Sequence, residues 1–409
     1  MGSSGYGRYA SGLSGFGGCA MELSRFGGCT TELSEVWCIC DEVVEVANDG
    51  VPPCRSMLNL IVRDKEKERE VVSFDDWGGG RGKFDDGIAS VCDRGEEEAP
   101  FHCRLEDQSI LLCCKFFVSE SRNNATLNAI ERAARSNPET VIVNMFHDRA
   151  YNRARYDLVS YVLHDCTGNP IYSPLHQTVI AMAEATFNAV NLEFHEGAHP
   201  RLGAVDDIVF HPLGHASLDE AAWLAKAVAA DIGNRFSVPV FLYAAAHPTG
   251  KELDAIRREL GYYRPNSRGS QWAGWAMPET LPLSPDEGPN VVSRAKGITM
   301  IGARPWVTLY NVPILCTDVS VARRIARKVS ARGGGLPTMQ TIALVHEDST
   351  EIACMLLDSK QVGADRVQNR VEMLAAQEGL DIEQGYFTDI SPEMIVEKYM
   401  KLINSANKS

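Results

Sequence analysis

Apolar and polar positions fall into two rhythms from Ile110 to the end of the chain. Leu111 to Val118 is an almost unbroken apolar run of strand length, the pattern of a strand buried on both faces. Asn124 to Ser136 and Pro174 to Asn191 repeat apolar residues every three or four positions and predict amphipathic helices. Thr140 to Met145, Arg155 to Leu163, Val205 to Phe210 and Val238 to Ala245 read as further strands. Leu218 to Phe236 reads as a helix, with Ser217 as N-cap and Glu220 three residues on to complete a capping box. Five prolines within residues 262–290 mark a long loop. Beyond it, strands are expected at Gly297–Ile301 and Val307–Leu315, a helix at Val319–Ser330, and a strand pair at Met339–Val345 and Glu351–Leu357. Helices at Gly363–Glu378 and Pro392–Asn404 close the chain. This alternation predicts an α/β (α+β) architecture, sheets covered by helices. The expected divisions are residues 1–109, 110–290 and 291–405.

The front segment is different. Ser14-Gly15-Phe16-Gly17-Gly18-Cys19 and Ser24-Arg25-Phe26-Gly27-Gly28-Cys29 repeat ten residues apart, after a similar Ser4-Gly5-Tyr6-Gly7. Gly/Ser-rich units with single aromatics bury no core, and no period of 2 or 3.6 persists over residues 36–109. A disordered extension is therefore expected there. It also carries most of the charge, 21 acidic against 11 basic side chains out of a chain total of -14.

Such a balance argues against nucleic acid as partner, because phosphate binding needs surplus Lys and Arg. A membrane partner is not expected either, since no run approaches the roughly 18 apolar residues of a spanning helix. The first 25 residues lack a secretory pattern, which points to the cytoplasm and to reduced thiols. Cys113 and Cys114, adjacent in a strand, should face opposite sides.

The densest chemistry is His195-Glu196-Gly197-Ala198-His199-Pro200-Arg201-Leu202-Gly203-Ala204-Val205-Asp206. Its first five residues spell the HExxH of zinc hydrolases, whose histidines must share one helix face. Gly197 weakens such a helix and Pro200 pushes His199 out of helical geometry, so no metal is expected. Read as a loop entering a strand, the segment offers His199 as a neutral base and Arg201 as a carboxylate clamp. Gly203 would let a ligand approach the backbone. A structural turn, its histidines satisfying backbone carbonyls, is the alternative. His211 and His215 are expected in a turn before the capped helix. Trp272 and Trp275 are read as local packing, with stacking on a flat ring of a ligand as the alternative.

The pattern His-x-Gly-x-His-Pro-Arg-x-Gly-Ala-x-Asp resembles the central motif of the formiminotransferase domain of the formiminotransferase-cyclodeaminase family. Ser119-Glu120, Asn152-Arg153 and Val238 to Tyr243 fall in family order, and the match runs from about residue 111 to 403. Pro285-Asp286-Glu287-Gly288-Pro289, then Gly297 and Gly302-Ala303-Arg304, look like the family's folate-binding segment. The chain departs from the family text at Asp148-Arg149-Ala150-Tyr151, at Glu196 and Ala198, and at Gln384 to Pro392. The resemblance implies two subdomains flanking a ligand cleft, with His199 as base at N5 of tetrahydrofolate. It implies a one-carbon transferase moving a formimino or formyl group between glutamate and folate, the cyclodeaminase half being absent. A folate-binding protein without donor chemistry is the alternative. Partners are then a folate and an amino-acid-derived donor, with a homodimer left open. The implied substrate contacts are His195, Arg201, Gly203, Asp206, Asn152, Arg153, Asp286, Gly288, Pro289, Gly297, Gly302 and Arg304.

Overall fold

The computed structural model describes residues 110–275 and 280–406, together with four strands before residue 110. Those four, Gly18–Ala20, Leu33–Ile39, Leu58–Asp64 and Glu70–Phe74, pair antiparallel in chain order. The rest of that segment, on which the expected disordered extension falls, lies outside the described residues. Residues 1–99 and 100–409 form separate units.

The apolar run predicted as a doubly buried strand is β1 (Ile110–Val118), an interior strand of a six-stranded sheet. The other strands of that sheet are β2 (Val141–Asp148), β3 (Arg153–Tyr161), β4 (Val205–Gly214), β5 (Val240–Ala244) and β6 (Thr299–Ala303). The order is β5-β6-β4-β1-β3-β2, with β5, β6 and β4 parallel and the remaining pairs antiparallel. Helices α1 (Asn124–Arg135), α2 (Pro174–Ala189) and α3 (Leu218–Phe236) cover one face. The predicted capping box on α3 is present in full. Cys114 faces these helices while Cys113 faces the other side, as strand alternation requires.

The division expected at residue 290/291 does not follow the sheets. β6, a five-residue buried run, is slotted between β4 and β5, so the first sheet extends to Ala303. A helix not anticipated from the sequence, α4 (Leu253–Glu259), precedes the proline-rich loop. The second sheet is antiparallel, with β7 (Thr308–Ile314), β8 (Met339–His346), β9 (Ser349–Leu356) and β10 (Tyr386–Phe387) in the order β8-β9-β7-β10. It is backed by α5 (Val319–Val329) and α6 (Ala364–Gln377). The last helix, α7 (Pro392–Ala406), returns to the first sheet, where Ile395 and Tyr399 pack with Leu111, Cys113 and Val159. Burying each such side chain stabilises by roughly 1.5–3 kcal/mol, which holds the chain end against the opening strand.

Candidate active site

Asp206 and Asp207 are neighbours in β4, and a regular strand would send their side chains to opposite faces. The register against β1 slips between Val205 and Asp207, a β-bulge. Both carboxylates therefore reach Arg257 of α4, whose Nη2 lies 3.3 Å from Asp206 Oδ2 and 3.4 Å from Asp207 Oδ2. Arg153, at the start of β3, donates from Nη1 to Asp206 Oδ2 at 2.8 Å. Leu202 N donates to Asp206 Oδ1 at 2.6 Å and ties the histidine loop to the strand. Burial alone would raise Asp206, but Arg153 and Arg257 outweigh it and hold the carboxyl below its ordinary range. For Asp207 burial wins over Arg257, and with Asp206 beside it the carboxyl rises to about 6. Tyr243 donates its hydroxyl to Asp207 at 3.0 Å.

His199 leans over this band. Its Nδ1 lies 2.7 Å from the Pro200 carbonyl, which can only accept, so Nδ1 carries the proton and Nε2 keeps the lone pair. Burial, then the Arg153 guanidinium, brings its pKa down to about 3. At neutral pH the imidazole is an uncharged acceptor, the state a general base needs. Tyr151 meets it edge-on, with ring centroids 5.6 Å apart.

The neighbouring histidine does something else. His195 Nδ1 accepts from Arg201 Nε at 2.9 Å, and its Nε2 donates to Asn152 O at 3.1 Å. Arg201 Nη2 donates to the carbonyls of His195 and Gly274, both at 3.0 Å. The bidentate clamp expected of Arg201 is thus spent on the protein, and among the described contacts only Nη1 remains uncommitted. Asn152 adopts a left-handed backbone, φ 53°, a conformation asparagine tolerates. Its side chain accepts from Ser121 N and donates to Glu196 O, both at 2.9 Å. The HExxH letters do not lie on a helix: a short turn at Leu192–Phe194 leads into a two-residue strand, Glu196–Gly197, paired with Trp272–Ala273.

The structure thus brings Asn152, Arg153, His195, His199, Arg201 and Asp206 together. Gly203 belongs beside them for a reason other than ligand approach. A Cβ there would sit 1.9 Å from the Ile298 carbonyl, so the glycine admits the protein's own backbone, bridging to Gly297. Gly302 lies under the Tyr243 ring, and Asp286 Oδ2 accepts from Leu242 N at 2.8 Å. Gly302 and Asp286 thus brace β5 and β6, while Gly288 packs its backbone against Gly233 and Val238 and Pro289 follows it in the loop before β6. Arg304 is the exception. Its guanidinium is buried, yet Nε and Nη1 lack a hydrogen-bond partner, with only the exposed Glu252 at 3.5 Å. It lines a small void with Lys115, Asp207 and Tyr243.

A larger cavity of about 340 Å³ opens beside Arg201, lined also by Leu202, Tyr262, Trp272 and Trp275. Both tryptophans hold a buried indole N–H without a partner. His211 is not in a turn: it is a buried residue of β4 whose Nδ1 meets the Arg304 and Pro305 carbonyls. The sequence reading missed Asp207, Arg257, Tyr151, Asp148, His346 and Glu351. An Asp-Asp pair opening an apolar strand, and a glutamate inside another, were the available signals, since buried carboxylates are rare without partners.

A family model described as the formiminotransferase domain, N-terminal subdomain, matches residues 111–304. A formiminotransferase cyclodeaminase-like protein of Arabidopsis thaliana is 47% identical over 300 residues, 73% of this chain and 99% of that one. A glutamate formimidoyltransferase of Thermoplasma acidophilum is 27% identical over 72% of this chain and 93% of its own length. The formimidoyltransferase-cyclodeaminase of Sus scrofa is 29% identical over 63% of this chain, a match covering 46% of that protein. With its histidine loop, its bulged strand and these relatives, the chain belongs to the formiminotransferase family.

Proposed function

We propose that the chain transfers a formimino group between glutamate and N5 of tetrahydrofolate, with His199 as the base. In the step toward folate, N5 attacks the formimino carbon and a new C–N bond forms. The bond from that carbon to the glutamate nitrogen then breaks. The N5 proton leaves to His199 Nε2, and the departing glutamate nitrogen takes up a proton. One observation carries the reading: His199 is tied at Nδ1 to Pro200 O and kept neutral, with Nε2 left to accept. The amine becomes acidic as its new C–N bond forms, and a neutral imidazole can take the proton at that point.

The Arg201–Trp272–Trp275 cavity takes the pterin, whose flat ring can stack on the aromatic side chains that line it. Arg304, a buried guanidinium short of partners, takes a ligand carboxylate. The described helices include none long and apolar enough to cross a membrane. The same reading places the chain in the cytoplasm, where thiols such as Cys113 and Cys114 stay reduced. Steady-state turnover with formiminoglutamate, and separately with 5-formyltetrahydrofolate, tests the activity and names the donor. Tetrahydrofolate binding with neither turnover would replace the transferase by a folate-binding protein.

A further inference from the structure

We propose that Tyr151 positions the His199 base, and that a protonated His346 bridging Asp148 and Glu351 locks Tyr151 in place across the two sheets. The inference rests on the reading of His199 as base and adds to it what holds that base.

Tyr151 is gripped at both ends. Its backbone N donates to Asp148 Oδ1 at 2.8 Å, and its hydroxyl donates to Glu351 Oε2 at 2.5 Å. Between those ends its ring meets His199 edge-on, and it meets His346 the same way at 5.0 Å. Glu351 is a buried carboxylate in β9 that also accepts from Asn311 Nδ2 at 3.0 Å and from the Tyr386 hydroxyl at 2.9 Å. Asp148 ends β2 in the first sheet, so Tyr151 is held by one carboxylate from each sheet.

Two carboxylates this close to one phenol repel unless a cation stands between them. His346, the last residue of β8, fills that place: Nε2 lies 3.0 Å from Asp148 Oδ2 and Nδ1 lies 3.7 Å from Glu351 Oε1. A neutral imidazole protonated at Nε2 serves Asp148 alone, whereas the cation also attracts Glu351 across the 3.7 Å ion-pair distance. The groups around it are Asp148 from β2, Glu351 from β9, Glu347 beside it in the chain and the Tyr151 ring. The hydrogen bond to Asp148 raises its pKa above 6.5, burial opposes, and Glu351 and Glu347 add to the rise. Side chains from β2, β8, β9 and β10 and from the turn at Tyr151 meet at this bridge through Asp148, His346, Glu351, Tyr386 and Tyr151. When His346 loses its proton, Asp148 and Glu351 face each other uncompensated. Tyr151 loosens at both grips, and the His199 ring loses its edge-on support.

The experiment follows histidine ring proton–carbon resonances of the full chain against pH, with His199 and His346 assigned from H199Q and H346Q. The expected result is that His346 titrates above 6.5 and that the His199 signal shifts in step with it. Y151L should break that step, while Y151F, which keeps the ring and loses one grip, should weaken it. In turnover, H346Q should lower kcat roughly 10- to 100-fold, as for a displaced catalytic group, with KM for tetrahydrofolate little changed. It should also abolish the alkaline fall of the kcat profile, which a merely structural residue would leave in place. A His199 signal indifferent to the titration of His346, or an alkaline limb unchanged in H346Q, overturns the proposal. A wild type without formimino transfer would count against the base assignment, and the resonance coupling would still decide this one.

Discussion

Arg201 and His195 are joined side chain to side chain, Nε of the arginine donating to Nδ1 of the histidine at 2.9 Å. A nitrogen that accepts carries no proton, so His195 is protonated at Nε2, the atom facing Asn152 O. A second proton would set an imidazolium against a guanidinium. The two histidines of one motif are thereby divided: His195 frames the loop, and His199 keeps a free nitrogen.

Arg201→Lys should damage that frame. An ammonium cannot reproduce contacts from Nε and Nη2 to a ring nitrogen and two carbonyls. The expected loss is about 2–4 kcal/mol, in line with breaking more than one charged hydrogen bond in a buried setting. Urea unfolding measures it, and a midpoint matching the wild type would mean the arginine is not structural.

The same pair sets an acid limit on stability. Burial, with Arg201 adding, brings His195 down to about 3 in the fold from its ordinary 6.5. Between those values the unfolded chain binds a proton that the folded chain does not. Stability therefore falls as pH drops from 6.5 toward 3, by up to about 1.4 kcal/mol per pH unit from this residue. His195→Gln has no ring to protonate and should show a shallower fall in Tm over that window. An equally steep fall in both proteins would assign the acid limb to other groups.

Much of the frame was legible because it rests on local chemistry. The capping box at Ser217 and Glu220 fixes α3, and the apolar run from Leu111 fixes β1. His199 stood out because Pro200 breaks the helix that the HExxH letters would need. What failed was non-local. β6 is a short apolar run that could join either sheet, and its parallel pairing between β4 and β5 is set by strands some 60 and 90 residues earlier in the chain. The bulge that turns Asp207 toward Arg257 has no letter of its own. Arg201 was read by residue type as a ligand clamp, yet its partners are the His195 ring and two backbone carbonyls, and carbonyls belong to every residue and show in no motif.

Arg304 is the expected cation for a folate carboxylate. Its buried Nε and Nη1 are short of partners, so a bound anion would gain what the protein does not supply. Arg304→Ala should weaken tetrahydrofolate binding by about 1.5–3 kcal/mol, and 5-formyltetrahydrofolate similarly. Isothermal titration reads the change, and equal affinities would remove Arg304 from the site.

Residues 1–99 and 100–409 are separate units, and the hydrophobic pattern begins at Ile110. Starting the chain at Ile110 should leave the thermal transition of the remainder within about 2 °C, roughly the shift that 1 kcal/mol brings in a unit of this size. A drop well beyond that in scanning calorimetry would show that the front segment supports the core.

His199→Ala is the decisive substitution for the activity. A general base contributes roughly 10²–10⁴ in rate, so kcat should fall by that factor. Tetrahydrofolate affinity should change far less, because the proton moves only during the reaction. Folding should survive, since the ring makes one hydrogen bond, to the adjacent Pro200 carbonyl. The pH profile distinguishes this site from an ordinary histidine. An unperturbed base would lose activity as pH fell through about 6.5. With burial and Arg153 holding His199 at about 3, it stays neutral and competent well below that, and kcat should remain flat from pH 7 down to about 5. An acid limb near 6.5 that disappears in the variant would keep the base and reject the depressed pKa. Turnover that survives the substitution unchanged would remove His199 from the chemistry altogether. The proton would then have to pass to another acceptor.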